Sequence, residues 1–367
     1  MKRKILENFN WSLLWVTLSL MVIGLVNLHS ALSFWGEGGG YQKLFWQQVV
    51  WFLAGFGILL VLVTMDYRLW DKLGKYFYVM TLILLVLVLL VGRDISGNRS
   101  WLGVGSFGVQ PSEFAKLGII LVLAKYFSSN PMPGGYGFKD LLKPMALAGV
   151  PFILVLMEKD LGSSLFFPLI FMSMALVAKI QKKTLIGFLV LVTLGGGLAY
   201  QFGLKPYQKE RIRIFMNPES DPRKSGYHLV QSKIAVGSGR IFGKGYMKGT
   251  INKLRYLPDK HTDFIFPVLA EEWGFVGAML VLTLYGFLLW NGLGIAMKAR
   301  ESFGIFLATG VTALLFWHLV INLCGVLGMI PLTGVPLPFL SYGGSSSIVF
   351  LMGIGLLLNI HMRRFMF

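Results

Sequence analysis

LILLVLVLLV, Leu82–Val91, decides the fold class, because its side chains are apolar on every face. A strand in a membrane barrel alternates lipid-facing and lumen-facing residues, and this run does not alternate. A helix satisfies its own backbone in hydrocarbon, so the run reads as part of a membrane span. It closes a window from Tyr76 to Val91, one of about ten apolar windows near the length that crosses ~30 Å of hydrocarbon. The others run Trp11 to Leu32, Phe45 to Thr64, Glu113 to Phe127, Leu141 to Met157, Leu161 to Ile180, Thr184 to Phe202, Phe264 to Trp290, Phe303 to Ile330 and Tyr342 to Ile360.

Composition agrees with those windows. Of 367 residues, 55% are hydrophobic and 14% charged, and the mean hydropathy is +0.67, outside the range of a soluble globular domain. The expected architecture is an all-α polytopic membrane protein of about ten transmembrane helices, a single domain over 1–367. A large extracytoplasmic loop at 204–262 separates helices 7 and 8. The first window follows Lys2, Arg3 and Lys4 but is too long for a signal-peptide core and lacks a small-residue cleavage site, so it reads as a retained helix. Cys324, the single cysteine, can form no internal disulfide and leaves the redox compartment open.

Lys and Arg set the orientation. With the N-terminus inside, cytoplasmic segments hold sixteen of them, and the short outer loops only Lys43, Arg93, Arg99 and Lys159. That bias puts both termini in the cytoplasm of a bacterial inner membrane. The long loop then lies outside with thirteen basic against four acidic residues. Apolar residues interleave with its charges in KERIRIFMN and YHLVQSKIAVGSGR, which predicts short interfacial or re-entrant helices rather than disorder. Its charge suits anionic membrane lipid or a phosphate, which Gly237-Ser238-Gly239 and Gly243-Lys244-Gly245 could cradle with backbone amides. Nucleic acid is excluded as a partner, since the basic face is extracytoplasmic.

Ionisable residues inside apolar windows are costly and mark candidate sites. Glu113 and Lys116 in PSEFAK stand three apart on one helix, either a structural ion pair or a proton or ion relay. Asp160 in MEKDLGSS, Gln231 in the loop and Glu271, Glu272 in LAEEWG are further polar candidates. Trp317, His318 and Asn322 lie mid-span, where interhelical hydrogen bonding competes with a ligand or relay role. Asp263 ends the basic loop and opens an apolar helix in HTDFIFPVLAEEW. It reads as a general base, as a ligand for Mg or Mn, or as a helix N-cap. The chain carries no P-loop, GxSxG, HExxH or CxxC, so nucleotide hydrolysis, serine hydrolysis and protein-bound zinc lack a signature and no organic cofactor is expected.

Four segments carry a family resemblance: GNRSWLGVGSFGVQPSEFAKL at 97–117, DPRKSGYHLVQSKIAVGSGRIFGKG at 221–245, YLPDKHTDFIFPVLAEEWGFVG at 256–277 and GMIPLTGVPLPFLSYGGSSS at 328–347. On them the chain resembles the SEDS family (shape, elongation, division and sporulation) over nearly its whole length. The resemblance implies a peptidoglycan glycosyltransferase of cell elongation and rod-shape maintenance. It would polymerise lipid II, an undecaprenyl-pyrophosphate disaccharide-pentapeptide, into a growing β-1,4 glycan strand beside a class B penicillin-binding protein. The family's essential aspartate falls on Asp263 and its Glu–Lys pair on Glu113 and Lys116. Asp259 stands where relatives often carry Glu, and EEWG where many have EELG, changes that keep charge or bulk.

In that mechanism an acceptor 4-hydroxyl attacks the donor C1 with inversion, Asp263 takes the proton or holds the metal, and lipid pyrophosphate leaves. Arg211, Arg213, Lys233 and Arg240 are the expected pyrophosphate clamp. Arg99 and Trp101 would flank sugar or lipid, with Lys116, His261, Ser341 and Ser345 as further substrate contacts. The Pro-rich stretch Pro331 to Ser341 with Gly343 and Gly344 forms an outer cap or a plain rigid connection. A lipid II flippase and a non-enzymatic scaffold for the transpeptidase are the alternatives.

Overall fold

The computed structural model describes residues 8–33, 40–95, 98–104, 107–198, 201, 209, 213–217, 225–250 and 261–364. Its helices are α1 (Trp11–Ser33), α2 (Gly40–Thr64), α3 (Arg68–Val91), α4 (Pro111–Ser129), α5 (Phe138–Met157), α6 (Leu161–Ser164), α7 (Phe166–Val177), α8 (Lys182–Leu198), α9 (Ser225–Ser238), α10 (Ile265–Lys298), α11 (Ser302–Val326) and α12 (Gly344–Arg363). Every apolar window falls on a helix. Seven of these helices, α1, α2, α3, α5, α10, α11 and α12, are long and apolar enough to cross a membrane. Helix α4 carries Glu113, Lys116 and Lys125 within its apolar run, and α6 with α7 makes one broken, shorter apolar segment.

Burial orders the bundle. In the most apolar windows of α12 and α11, 89% and 72% of residues are buried, against 28% in α3, so the first two form the centre and α3 the rim. Along Leu82–Val91 the residues alternate in role without alternating in polarity: Leu85 and Val88 are buried, Ile83, Val86, Leu87 and Leu90 exposed. Lipid chains are as apolar as leucine, so a lipid-facing side chain needs no polar residue. Helix α12 packs between α2 and α11, α10 against α1 and α11, and α4 between α3 and α11.

Two features depart from a plain helix-and-loop expectation. The connection between α3 and α4 is a three-stranded antiparallel meander of β1 (Arg93–Ile95), β2 (Asn98–Val104) and β3 (Phe107–Val109), with Arg93 opposite Trp101 and Leu102 opposite Val109. The chain is therefore all-α only within the membrane spans. Strands this short sit below the length of any apolar window, so a search for spans passes over them. The meander ends at Gln110, extended, and Pro111 opens α4, a position where the missing N–H costs nothing.

The second departure is a break in α10 at Gly274, with φ +68° and ψ −165°. Glycine alone takes this conformation cheaply. The opened turn receives the loop: Phe275 N donates to Arg240 O at 2.8 Å and Val276 N to Ile241 O at 3.0 Å. Of the long loop, α9 and residues 209, 213–217, 239–250 and 261–262 are described, and α9 packs on α10 and α11.

Candidate active site

The end of the bundle that carries the meander encloses a cavity of about 710 Å³. Its wall joins the start of α2 (Gln47, Trp51), the meander (Arg93, Trp101), the turn between α5 and α6 (Lys159, Asp160), His261–Asp263 and the segment from Thr333 to Ser346. The Pro-rich stretch is thus a cap over a cavity rather than a bare connection. Trp101, Asp160, His261, Asp263 and Ser345 among the sequence candidates line it.

Asp263 is held through its backbone. Asn322 on α11 donates from Nδ2 to Asp263 O at 3.1 Å and to Val335 O at 2.7 Å, tying the aspartate to the cap. Ser341 Oγ donates to Thr262 O at 2.6 Å and accepts from Leu337 N at 2.8 Å. Tyr342 N donates to His261 O at 2.8 Å, and Asn27 Nδ2 to Ile265 O at 2.9 Å. Anchors on four of the five carbonyls from His261 to Ile265 fix the main chain at Asp263. The N-cap of α10 is Phe264, which makes no side-chain cap, so Asp263 is not the cap of that helix. Its Oδ2 faces Gly334, where an added Cβ would lie 3.4 Å away. Ser341 is therefore a strut behind the cavity and does not line it.

Asp160 is spent on structure. Its Oδ1 accepts from Ser163 N at 2.9 Å as the N-cap of α6, and its Oδ2 from Gln110 Nε2 at 3.0 Å. Gln110 N donates to Ser345 Oγ at 2.9 Å, so one chain of bonds runs from the α5–α6 turn to the cap. Two residues before, Glu158 is 1% exposed, and neither carboxyl oxygen has a hydrogen-bond partner among the described residues. Burial, and then the neighbouring Asp160, raise its pKa to about 9.

That shift carries a pH signature. An unfolded glutamate titrates near 4.5, so between pH 4.5 and about 9 the folded chain holds a proton that the unfolded chain has released. Glu158 contributes fully below pH 4.5 and its contribution is lost as pH rises to about 9. Glu158→Gln, neutral at every pH, is expected to raise the melting temperature in detergent by a few degrees at pH 8 and by little at pH 5. A shift equal at both pH values would show that Glu158 ionises normally.

The intramembrane pair lies apart from the cavity wall. Lys116 Nζ is 2.7 Å from Glu113 Oε1 and 3.1 Å from His318 Nε2, and sits 4.2 Å from the centre of the Phe166 ring. His318 Nδ1 is 3.2 Å from Pro336 O in the cap. A tautomer protonated at Nδ1 donates to Pro336 O and accepts from Lys116. Lys116 is buried and does not line the cavity, against its expected substrate contact.

Among the described residues, neither the long loop's cations nor Arg99 of β2 line it. Arg99, Arg213, Lys233 and Arg240 lie elsewhere, and Arg211 falls outside the described residues. Lys233 on α9 stacks on Gly328, and Gln231 is on the same helix. The Gly243–Gly245 turn is no phosphate cradle, because Lys244 N and Gly245 N donate to the carbonyls of Glu271 and Glu272. Lys244 Nζ pairs with Glu271 Oε1 at 2.7 Å, and Glu272 accepts from Ser30 Oγ and Met247 N. These two glutamates fasten the loop to α10 and α1. Sequence reasoning passed over Gln47, Gln110 and Lys159; uncharged amides and a lone surface lysine carry no spacing signal.

The cell cycle protein family model FTSW_RODA_SPOVE matches residues 11–365. Peptidoglycan glycosyltransferase MrdB of Escherichia coli K12 is 36% identical over 348 residues, 95% of this chain and 93% of that one. A crystal structure of Thermus thermophilus rod shape determining protein RodA is similar at 30% identity and a TM-score of 0.72, covering 97% of this chain and 98% of that one. A solved structure described as structural coordination of polymerization and crosslinking by a peptidoglycan synthase complex has a chain similar at 32% identity and a TM-score of 0.82, with the same coverage.

Proposed function

From a chain that belongs to the FtsW, RodA and SpoVE family of cell cycle proteins, we infer a peptidoglycan glycosyltransferase of cell elongation that polymerises lipid II with Asp263 as its base. It is an integral membrane protein of the bacterial cell envelope, and the positive-inside bias puts the cavity on the outer face. The observation that carries the site is Asp263, anchored through its backbone and lining a cavity capped by the 333–346 segment. The acceptor 4-oxygen forms its bond to the donor C1 as the C1–pyrophosphate bond breaks, and the acceptor proton passes to the Asp263 carboxylate. One displacement inverts C1 and needs no covalent enzyme intermediate.

A Mg or Mn ion fits only as a shared ligand. Among the described residues no three His, Cys, Asp or Glu side chains converge. Asp263 would hold the ion together with pyrophosphate oxygens and water. The transpeptidase partner is a class B penicillin-binding protein, a reading supported by the likeness to a chain of a complex that couples polymerisation to crosslinking.

Gly334 gives the site a steric test. Its φ is +72°, a region that costs an alanine about 1–2 kcal/mol. The new methyl group would sit in ordinary contact with the Asp263 carboxylate, so displacement of the site comes from backbone strain at residue 334. Gly334→Ala is expected to slow strand formation at least about tenfold, because small misplacements of a reacting group are costly, with a loss of only a few degrees in melting temperature. The function itself is tested by strand formation from labelled lipid II with the full chain and its transpeptidase in liposomes. Strands from wild type and none from Asp263→Ala support it, whereas lipid II crossing the bilayer without strands would make the chain a flippase.

A further inference from the structure

We propose that Lys159, with Arg93 on the same cavity wall, receives the pyrophosphate of the polyprenyl-linked donor. This rests on the reading of the cavity as the polymerising site and moves the leaving-group clamp away from the long loop.

The tripeptide Glu158-Lys159-Asp160 sorts three ionisable side chains to three fates. Helix α5 ends with Glu158 N donating to Leu154 O at 3.2 Å and Lys159 N to Leu156 O at 3.1 Å, while Asp160 N reaches Val155 O at 3.3 Å. Arg99 N of β2 holds the Glu158 carbonyl at 3.2 Å. These bonds fix Lys159 at φ +66°, a left-handed conformation that a residue with a Cβ adopts at a cost. Strained backbone of this kind persists where the surroundings enforce it, and it clusters at ligand clamps.

Charge then follows from placement. Glu158 turns into the protein, where burial keeps it protonated, so it does not neutralise its neighbour. Asp160 faces the Ser163 amide and Gln110. Lys159 is exposed into the cavity, and among the described residues it makes no ion pair. Among the described residues, the loop cations are committed or distant: Lys244 to Glu271, Lys233 against Gly328, Arg240 outside the cavity wall. A pyrophosphate entering beside Asp263 therefore meets Lys159 and Arg93. An ammonium suits it as a point charge and strengthens the bond as negative charge grows on the departing oxygen.

Trp51 and Trp101 line the same cavity and give a binding signal. The experiment titrates the full chain in phosphatidylcholine nanodiscs with undecaprenyl pyrophosphate and with undecaprenol, following tryptophan quenching. Lys159→Gln is expected to weaken undecaprenyl pyrophosphate binding about tenfold, the size of one charge-assisted bond, and to leave undecaprenol unchanged. Lys159→Arg should bind both like wild type, and inorganic pyrophosphate should compete. Equal affinity of wild type and Lys159→Gln for undecaprenyl pyrophosphate overturns the proposal, as does an equal loss for undecaprenol. So does abolition of the difference by phosphatidylglycerol in the disc, which would assign the lysine to bulk anionic lipid. Asp263→Ala, binding normally but making no strands, separates failure of this clamp from failure of the polymerase reading.

Discussion

Asp263→Asn is expected to abolish glycan-strand formation, a fall of about 10²–10⁴-fold for removal of a general base, while its melting temperature stays close to wild type. Asparagine keeps the shape of the side chain and loses its charge and basicity. The anchors at this position are main-chain bonds, Asn322 to Asp263 O and Ser341 to Thr262 O, and they survive the change. Asp263→Glu keeps the charge but moves it by a methylene against Gly334, and an intermediate rate is expected. Rates come from gel analysis of strands made from labelled lipid II with the partner present. An asparagine variant retaining more than a tenth of wild-type rate would falsify the base assignment and direct attention to His261.

How far the sequence reached depended on which physical signal each part leaves. Membrane spans write themselves as long apolar runs, so the ten windows met the helices in outline, with α6 and α7 read as one segment, and α9 falls where a short loop helix was expected. The meander was not, because Arg93–Val109 is three short strands whose pairing is a long-range matter of register. Asp263 stood out as a lone carboxylate at the junction of a basic loop and an apolar helix. Arg213, Lys233 and Arg240 of the expected clamp fall outside the cavity wall for the converse reason. A count of charges finds the loop, but whether a cation is free depends on its neighbours, and Lys244 is taken by Glu271 across 27 positions of sequence. Asn322 looked like an interhelical bond; instead it joins two backbone segments, Asp263 and Val335, that no spacing rule connects.

The open question left by Glu113 and Lys116 is whether their charges hold the bundle or move protons, and stability with activity decides it. Both side chains are nearly fully buried and 2.7 Å apart. Removing one partner strands the other charge inside the membrane, at a cost of about 3–5 kcal/mol. Glu113→Gln and Lys116→Met should each lower the melting temperature by roughly 10 °C at the sensitivity usual for chains of this size. The double variant should recover most of that loss, because two neutral side chains of similar volume replace a desolvated pair, so the two single losses are far from additive. His318 makes the link to function. Lys116 contacts its Nε2 and Pro336 O its Nδ1, so the pair supports the cap above Asp263 through one imidazole. With Met at 116, His318 keeps its bond to Pro336 and the cap keeps its place. A clamp therefore predicts that the double variant regains strand formation along with stability. A double variant that melts like wild type yet makes no strands would mean that the charges act in the reaction itself.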